Sequence, residues 1–237
     1  MIEHRTATLT ARLNVMSAAR RWRWILLALM APLAAATPGQ AQQFSAELMR
    51  TADGSTTSAG QLHVSGDKVR IESPDFPDGF FLIDGAKPAA YFVRPAPHLF
   101  MDARQSTVLT RLFVPVDADN PCRQWQKMAE VAGLEGQGEW RCEVVGAESI
   151  GGREARAYRA TPAAGHAFTG WIDGVRKFPL RIKTDDGTVI AATSIRDERQ
   201  AADLFELPQG ARKFDPAALI EQIKQSDVWV AAPQPAP

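Results

Sequence analysis

The chain has little of what enzyme and metal sites are usually built from. None of His63, His98 and His166 has a second histidine two to five positions further on, so no metal-ligand pattern is present. No phosphate-binding loop, dinucleotide fingerprint or G-x-S-x-G motif occurs. Ser65-Gly66-Asp67-Lys68 matches the S-x-x-K motif of serine β-lactamases, but that chemistry needs a helix where two strands are expected here. We therefore expect a non-enzymatic protein without cofactor or metal, and keep a hydrolase with an unrecognised site as an alternative.

A long apolar run is also lacking. The most apolar stretch, Ile25–Ala36, has twelve residues, whereas a membrane span needs about 20. Three arginines precede this stretch, and Gly39-Gln40-Ala41 follows it with small residues, which is the pattern of a secretory signal peptide. We predict that residues 1–41 are a signal peptide cleaved on export to the periplasm. An uncleaved anchor is the alternative, and the start codon is Met1 or Met16.

An excess of positive charge is absent as well. The sequence has 27 basic and 27 acidic residues, and five basic and one acidic of these lie in residues 1–41. The remaining chain has 22 basic and 26 acidic residues, a net charge of −4. A negative net charge argues against non-specific binding to nucleic acid or anionic lipid. Residues 42–230 suit one domain, and residues 231–237, which are rich in alanine and proline, are predicted to be disordered.

Cysteine is scarce, with Cys122 and Cys142 alone in 237 residues. In an oxidising compartment such a pair most often forms a disulfide. A bridge across about 20 residues would stabilise the fold by roughly 3 kcal/mol. A redox function has little support because the two cysteines lack the C-x-x-C spacing.

The segment between the cysteines has the clearest helical pattern in the chain. Cys122, Trp125 and Met128 recur at helical spacing, Asn120 is placed to cap the helix, and Pro121 suits its first turn. Residues 106–113 fit either a short helix or a strand. Asp215-Pro216 is expected to open a last helix whose apolar residues Leu219, Ile220 and Ile223 face inward.

The rest of the chain after residue 43 alternates between apolar and polar residues with a period of two, which indicates strands. Asp-Gly pairs mark turns between them. The predicted strands after the first hairpin are Phe80–Asp84, Ala89–Arg94, His98–Asp102, Arg141–Ala147, Glu154–Thr161, Phe168–Asp173, Phe178–Thr184 and Val189–Asp197. Strands that follow one another without long helices predict an antiparallel sheet.

The apolar residues of these strands suggest a binding site. A curved sheet wrapped around helices often leaves an apolar hollow suited to acyl chains. The candidate lining residues from alternate strand positions are Leu48, Val64, Ile71, Phe81, Ile83, Phe92, Trp171 and Ile182. Trp125 and Met128 of the helix either line this hollow or fill it, and the sequence leaves both possibilities open.

Several short motifs resemble a known superfamily. Phe44-Ser45-Ala46-Glu47 after an export signal, the hairpin Gly60–Glu72, and Leu204–Pro208 followed by a short helix are similar to the periplasmic lipoprotein-carrier superfamily (LolA/LolB-like). Gly151-Gly152-Arg153 and Phe178–Ile182 resemble a related exported bacterial family of unknown function. The resemblance spans residues 44–226. It implies an α+β fold in which a strongly curved antiparallel half-barrel is closed by two or three short helices.

The resemblance also implies binding of a lipid, an acyl chain or a lipoprotein in the apolar hollow. The alternative is a protein-interaction or envelope-stress sensor module that uses the same sheet without a small ligand and binds another envelope protein. Because fold does not determine function, both hypotheses stay open at this stage.

Overall fold

The computed structural model describes residues 42–103, 107–134, 138–163 and 165–225. The predicted signal peptide and the alanine- and proline-rich tail lie outside these residues. Twelve strands occur among the described residues: β1 (Gln43–Ala52), β2 (Ser55–Ser65), β3 (Lys68–Glu72), β4 (Phe80–Asp84), β5 (Ala89–Arg94), β6 (Leu99–Asp102), β7 (Arg141–Ile150), β8 (Arg153–Thr161), β9 (Phe168–Asp173), β10 (Phe178–Thr184), β11 (Val189–Asp197) and β12 (Arg212–Lys213).

The twelve strands form one sheet in the order β12-β6-β5-β4-β3-β2-β1-β11-β10-β9-β8-β7. Every neighbouring pair is antiparallel except the short pair of β12 with β6. β1 lies at the centre, where Leu48 pairs with Gly60 of β2 on one side and Ala192 of β11 on the other. Within the described chain, β7 and β12 are the two edges, so the sheet is open. The expected α+β fold with a large antiparallel sheet is confirmed.

Tight turns account for much of this antiparallel order. Asp53 and Gly54 connect β1 to β2 with φ angles of 50° and 73°, the left-handed conformation that two-residue hairpin turns require. Gly66 has φ 59° in the turn from β2 to β3. The observed strand boundaries agree closely with the periodicity of the sequence, and β4, β5, β9, β10 and β11 begin and end at the predicted residues.

In the described part of the chain, three short helices accompany the sheet: α1 (Val108–Leu112), α2 (Pro121–Val131) and α3 (Pro216–Gln225). α1 settles the ambiguity of residues 106–113 in favour of a helix, and the Thr107 hydroxyl caps it by accepting from the Thr110 N–H. α2 begins at Pro121 as predicted, with Asn120 at the cap position but without a side-chain capping bond. None of the helices among the described residues is long and apolar enough to span a bilayer.

Two expectations near the C-terminal end were wrong. Leu219 and Ile220 of α3 are 42% and 52% exposed, so these side chains do not cover the sheet. The sequence also suggests a short edge segment at Leu204–Pro208, because Pro208 cannot donate to a ladder. The structure has no strand there, and the segment begins within a 3-10 helix, Ala202–Phe205. Neither element therefore helps to close the predicted hollow, which leaves α1 and α2 against the main core.

The main hydrophobic core lies on the face of the sheet that α1 and α2 cover. It combines residues from β1–β5 and β8–β11 with Leu109, Leu112, Trp125 and Met128 of the two helices. Because side chains alternate along a strand, other residues of the same strands form separate clusters. One contains Phe80 and Leu82, and another contains Ile150, Ala155 and Leu180.

Candidate functional site

The residues predicted to line a hollow belong to a packed core. Leu48, Ile71 and Trp125 have no exposed surface, and Met128 is 1% exposed. Nine of the ten candidates lie in or against one continuous cluster: Leu48, Val64, Ile71, Phe81, Ile83, Phe92, Trp125, Met128 and Ile182. The alternative in which Trp125 and Met128 fill the space between sheet and helix is therefore the one observed.

Trp125 is the largest fully buried side chain. Its Nε1 donates a hydrogen bond to the Leu112 carbonyl oxygen at 3.1 Å, which ties α2 to the end of α1. Its ring meets the Phe168 ring edge to face with centroids 5.0 Å apart. A Cβ added at Gly170 would lie 2.7 Å from Trp125 Cη2, so the glycine makes room for the indole.

Trp171 lies on the opposite face from its predicted partners, and its assignment to the hollow was wrong. Along β9, the core face is occupied by Phe168 and Ile172, and the period of two turns Trp171 to the other face. There Trp171 packs against a separate cluster that contains Leu180. The guanidinium of Arg181 lies 5.3 Å from its ring centroid.

A cleft of about 450 Å³ opens beside Trp125, between the helices and the ends of β9 and β10. The cleft is apolar where it borders α1, α2 and the residues that follow α2. Its larger apolar lining residues are Val108, Leu112, Trp125, Leu134, Trp140 and Phe168. Trp140 also contacts Phe168, with ring centroids 6.0 Å apart. The volume falls within the range of about 300–1,000 Å³ typical of small-molecule sites.

The rim of the cleft is polar and carries both signs of charge. Arg111, His166, Asp185 and Asp186 line it. Burial lowers the pKa of Arg111, because desolvation disfavours its charged form. The pKa of Asp186 is lowered, mainly because the Thr184 hydroxyl donates a hydrogen bond to its carboxylate.

The disulfide lies close to this cleft. Cys122, in the first turn of α2, is bonded to Cys142 of β7, with Cα atoms 5.7 Å apart. Trp140 precedes Cys142 by two residues and lines the cleft. The bridge therefore fixes the strand that follows Trp140 against the helix that provides Trp125 and Ala129 to the same cleft.

The structure places only Trp125 among the ten predicted residues at the cleft. Leu134, Trp140 and Arg111 were not predicted, because they come from loop and helix-end positions that follow no period. Trp140 had one sequence signal, its proximity to Cys142. Among the described residues, no three His, Cys, Asp or Glu side chains cluster as metal ligands.

Comparison with known proteins leaves the family open, since no family model and no curated protein matches the chain. Structural similarity exists to PNGF-II, with a TM-score of 0.48 and 13% identity over 78% of this chain and 34% of that protein. The MucA/MucB complex of Pseudomonas aeruginosa is similar at a TM-score of 0.40 and 15% identity, over 70% of this chain and 56% of that one.

A putative outer membrane lipoprotein-sorting protein domain from Vibrio parahaemolyticus is similar at a TM-score of 0.34 and 11% identity. That match covers 70% of this chain and 89% of the Vibrio domain. All three TM-scores are below 0.5, so they transfer no activity, ligand or partner to this chain.

Proposed function

We propose that this protein is an exported, non-enzymatic periplasmic protein that binds one acyl chain of a lipid or lipoprotein in the cleft beside Trp125. The hollow predicted from the sheet residues is not the site in this proposal, because those residues pack against one another. The acyl chain would instead lie against the partly exposed Val108, Leu134 and Trp140, in the cleft that Trp125 also lines.

The apolar lining of the cleft supports the proposal most directly. Trp125, Trp140 and Phe168 provide aromatic surface on one continuous wall, and Leu112 and Leu134 extend it. Burial of each methylene of a ligand against such a surface contributes about 0.8 kcal/mol. Each additional methylene should therefore lower Kd about fourfold until the chain fills the cleft.

The test uses delipidated protein titrated with unbranched fatty alcohols of increasing length, below their micelle concentrations, with tryptophan fluorescence as the readout. Trp125 and Trp140 line the cleft, so their emission should change on binding. We expect affinity to rise with chain length and then level off. Absence of alcohol binding at every length, together with no lipid retained in protein purified from the envelope, would contradict the proposal.

Two variants test whether the fatty alcohol binds in the cleft. Leu134→Asp puts a charge on its wall, and Ala167→Trp adds bulk to its lining, so both should weaken alcohol binding at least tenfold. Leu219→Asp is the matched control, because Leu219 is exposed on α3. Unchanged binding by both cleft variants, with thermal unfolding showing them folded, would place the site elsewhere.

The protein-interaction alternative has one observation in its favour. β7 is a ten-residue edge strand whose side chains are mostly exposed, including Val144 at 60% and Val145 at 57%. An open edge offers unpaired N–H and C=O groups to a strand from another protein. A register shift between Val144 and Gly146 interrupts the edge, and such a bulge disfavours pairing along its whole length. Failure of the lipid titration would favour this alternative.

A further inference from the structure

Arg111 differs from the other arginines that are partly or fully buried in the described chain, because each of those forms an ion pair. Arg159 and Arg181 each have a carboxylate oxygen within 2.6–2.8 Å, and the buried Arg176 has two, from Asp173 and Asp197. Arg111 is half-buried in the last turn of α1 and forms no ion pair with a described residue. Its Nε donates a hydrogen bond to the Thr107 carbonyl oxygen at 3.4 Å. The two terminal nitrogens of the guanidinium have no described partner.

Partial burial of a cation without a counter-charge is unfavourable. Desolvation lowers the pKa of Arg111 accordingly. The energetic cost would be removed by an anion that enters the cleft, since a planar guanidinium donates to carboxylate or phosphate oxygens in pairs.

A second donor borders the same cleft without a partner. The Nε1 atom of Trp140 is buried and forms no hydrogen bond in the described chain. Buried indole N–H groups usually find an acceptor. The corresponding atom of Trp125 does so by donating to Leu112. Trp140 and Arg111 therefore both line the cleft, and each has donor atoms without a partner among the described residues.

The acidic residues at the rim do not supply the missing acceptor. Asp185 accepts from the guanidinium of Arg159 at 2.6 Å. Asp186 accepts from the Thr184 hydroxyl at 2.5 Å and from the Thr188 N–H at 3.0 Å. Asp185 is thus paired with Arg159 of β8, and Asp186 is hydrogen-bonded within the turn between β10 and β11. Neither carboxylate forms an ion pair with Arg111.

We propose that the cleft takes an amphiphile with an anionic head group, whose oxygen atoms accept from the Arg111 guanidinium and the Trp140 N–H while its acyl chain lies on the aromatic wall. This inference rests on the proposed acyl-chain binding and adds the charge of the head group. The head group is a carboxylate, as in a fatty acid, or a phosphate monoester, and the two share the oxygen acceptors that the site requires.

The experiment compares ligands of one chain length that differ only in their head group: a fatty alcohol, a fatty acid, an alkyl phosphate and an alkylammonium. For the native chain we expect at least one of the two anions to bind ten times or more tightly than the alcohol, and the ammonium to bind most weakly. The anion that binds more tightly shows whether the head group is a carboxylate or a phosphate monoester. Acetate and inorganic phosphate, which lack the chain, should not bind measurably.

Arg111→Gln removes the charge and keeps a polar side chain, which is shorter than that of arginine. It should abolish the preference for the anions and leave the alcohol affinity within twofold, which also shows that the cleft is intact. Arg50→Gln is the matched control at a solvent-exposed arginine of β1 and should change nothing. Trp140→Phe keeps an aromatic ring and removes the N–H. It should therefore weaken the binding of the anions more than the binding of the ammonium.

The two proposals fail in different ways. Equal binding of alcohol and anions, or a preference for the ammonium, would overturn the anionic head group while the acyl-chain site stands. An anion preference that persists in Arg111→Gln would overturn the role of Arg111. No binding of any ligand by the native chain would overturn both proposals.

Discussion

The indole of Trp125 is packed directly over Gly170 of β9, at a distance that leaves no room for a side chain. A Cβ at residue 170 would lie 2.7 Å from Cη2 and 3.0 Å from Cζ2 of the ring. Trp125 itself is held on its other side by the hydrogen bond to Leu112. The contact determines how closely α2 approaches the sheet, and so where the wall of the cleft lies.

Gly170→Ala should destabilise the protein by about 1–3 kcal/mol, because the added methyl overpacks a core whose neighbour is a rigid ring. The measurement is urea unfolding. Gly146→Ala is the control, since nothing lies within 4 Å of a Cβ at that position, and it should be neutral or slightly stabilising. Equal effects of the two substitutions would contradict the close packing of Trp125.

Trp125→Phe should lower the free energy of unfolding by about 1–3 kcal/mol, because it leaves the buried Leu112 carbonyl oxygen without its donor. Trp171→Phe offers a comparison on the opposite face, where the ring is partly exposed and contacts Arg181. We expect Trp171→Phe to lower the free energy of unfolding by no more than about 1 kcal/mol. If Trp171→Phe had the larger effect, Trp171 would belong to the main core.

Loss of the disulfide by the double replacement Cys122→Ser and Cys142→Ser should cost roughly 3 kcal/mol, as expected for a bridge that closes a loop with a sequence separation of 20. Thiol titration of the unfolded, unreduced native chain should find no reactive thiol. Reductant should lower the stability of the native chain and leave that of the double variant unchanged. Two free thiols in exported protein would refute the bridge.

The hydrogen bond from the Ser45 hydroxyl to the Glu198 carboxylate should make the free energy of unfolding depend on pH. Its pKa is lowered, chiefly because the Ser45 hydroxyl donates a hydrogen bond to the carboxylate. A lowered folded-state pKa stabilises the protein above the unfolded-state pKa, and this contribution is lost as pH falls through the folded-state value. In Ser45→Ala the pKa of Glu198 should rise towards its ordinary range.

The stability difference between the native chain and Ser45→Ala should therefore be largest at neutral pH and shrink in acid. Urea unfolding over a pH series, with an NMR titration of Glu198, provides the measurement. Ser58→Ala, at an exposed serine of β2, should show no such trend. A difference that stays constant from neutral to acid pH would show that the Ser45 bond does not favour the carboxylate.

The exported protein should begin near Gln42, because Gly39-Gln40-Ala41 supplies the small residues of a cleavage site. Intact-mass analysis of periplasmic protein tests this prediction. A mass that includes Trp22 and Trp24 would indicate an uncleaved anchor instead.

Local periodicity was sufficient to predict most of the elements of the fold. Alternation along Phe80–Asp84 and Ala89–Arg94 predicted β4 and β5 at their observed boundaries. Helical spacing of Cys122, Trp125 and Met128 predicted α2 and its buried face. These signals are reliable because each depends on neighbours within one or two turns of chain.

The orientation of single residues was less predictable. Trp171 was predicted as one of the alternate strand positions that face inward, whereas Phe168 and Ile172 occupy the core face of β9. Alternation along the strand would have placed Trp171 on the other face. Leu219 and Ile220 follow a helical pattern and are nevertheless exposed, because an amphipathic face is buried only where another element packs against it.

The amino-acid sequence by itself determined the strands, the tight turns, the helix between the cysteines and the candidate cysteine pair, since these follow from backbone preferences and short-range spacing. The tertiary structure alone decided that Trp125 fills the expected hollow, and that the cleft lies outside it among Leu134, Trp140 and Phe168. Both results depend on side-chain volumes and on distances between segments far apart in the chain. The tertiary structure also decided that Arg111 forms no ion pair with a described residue, because an ion pair requires two opposite charges close together in three dimensions.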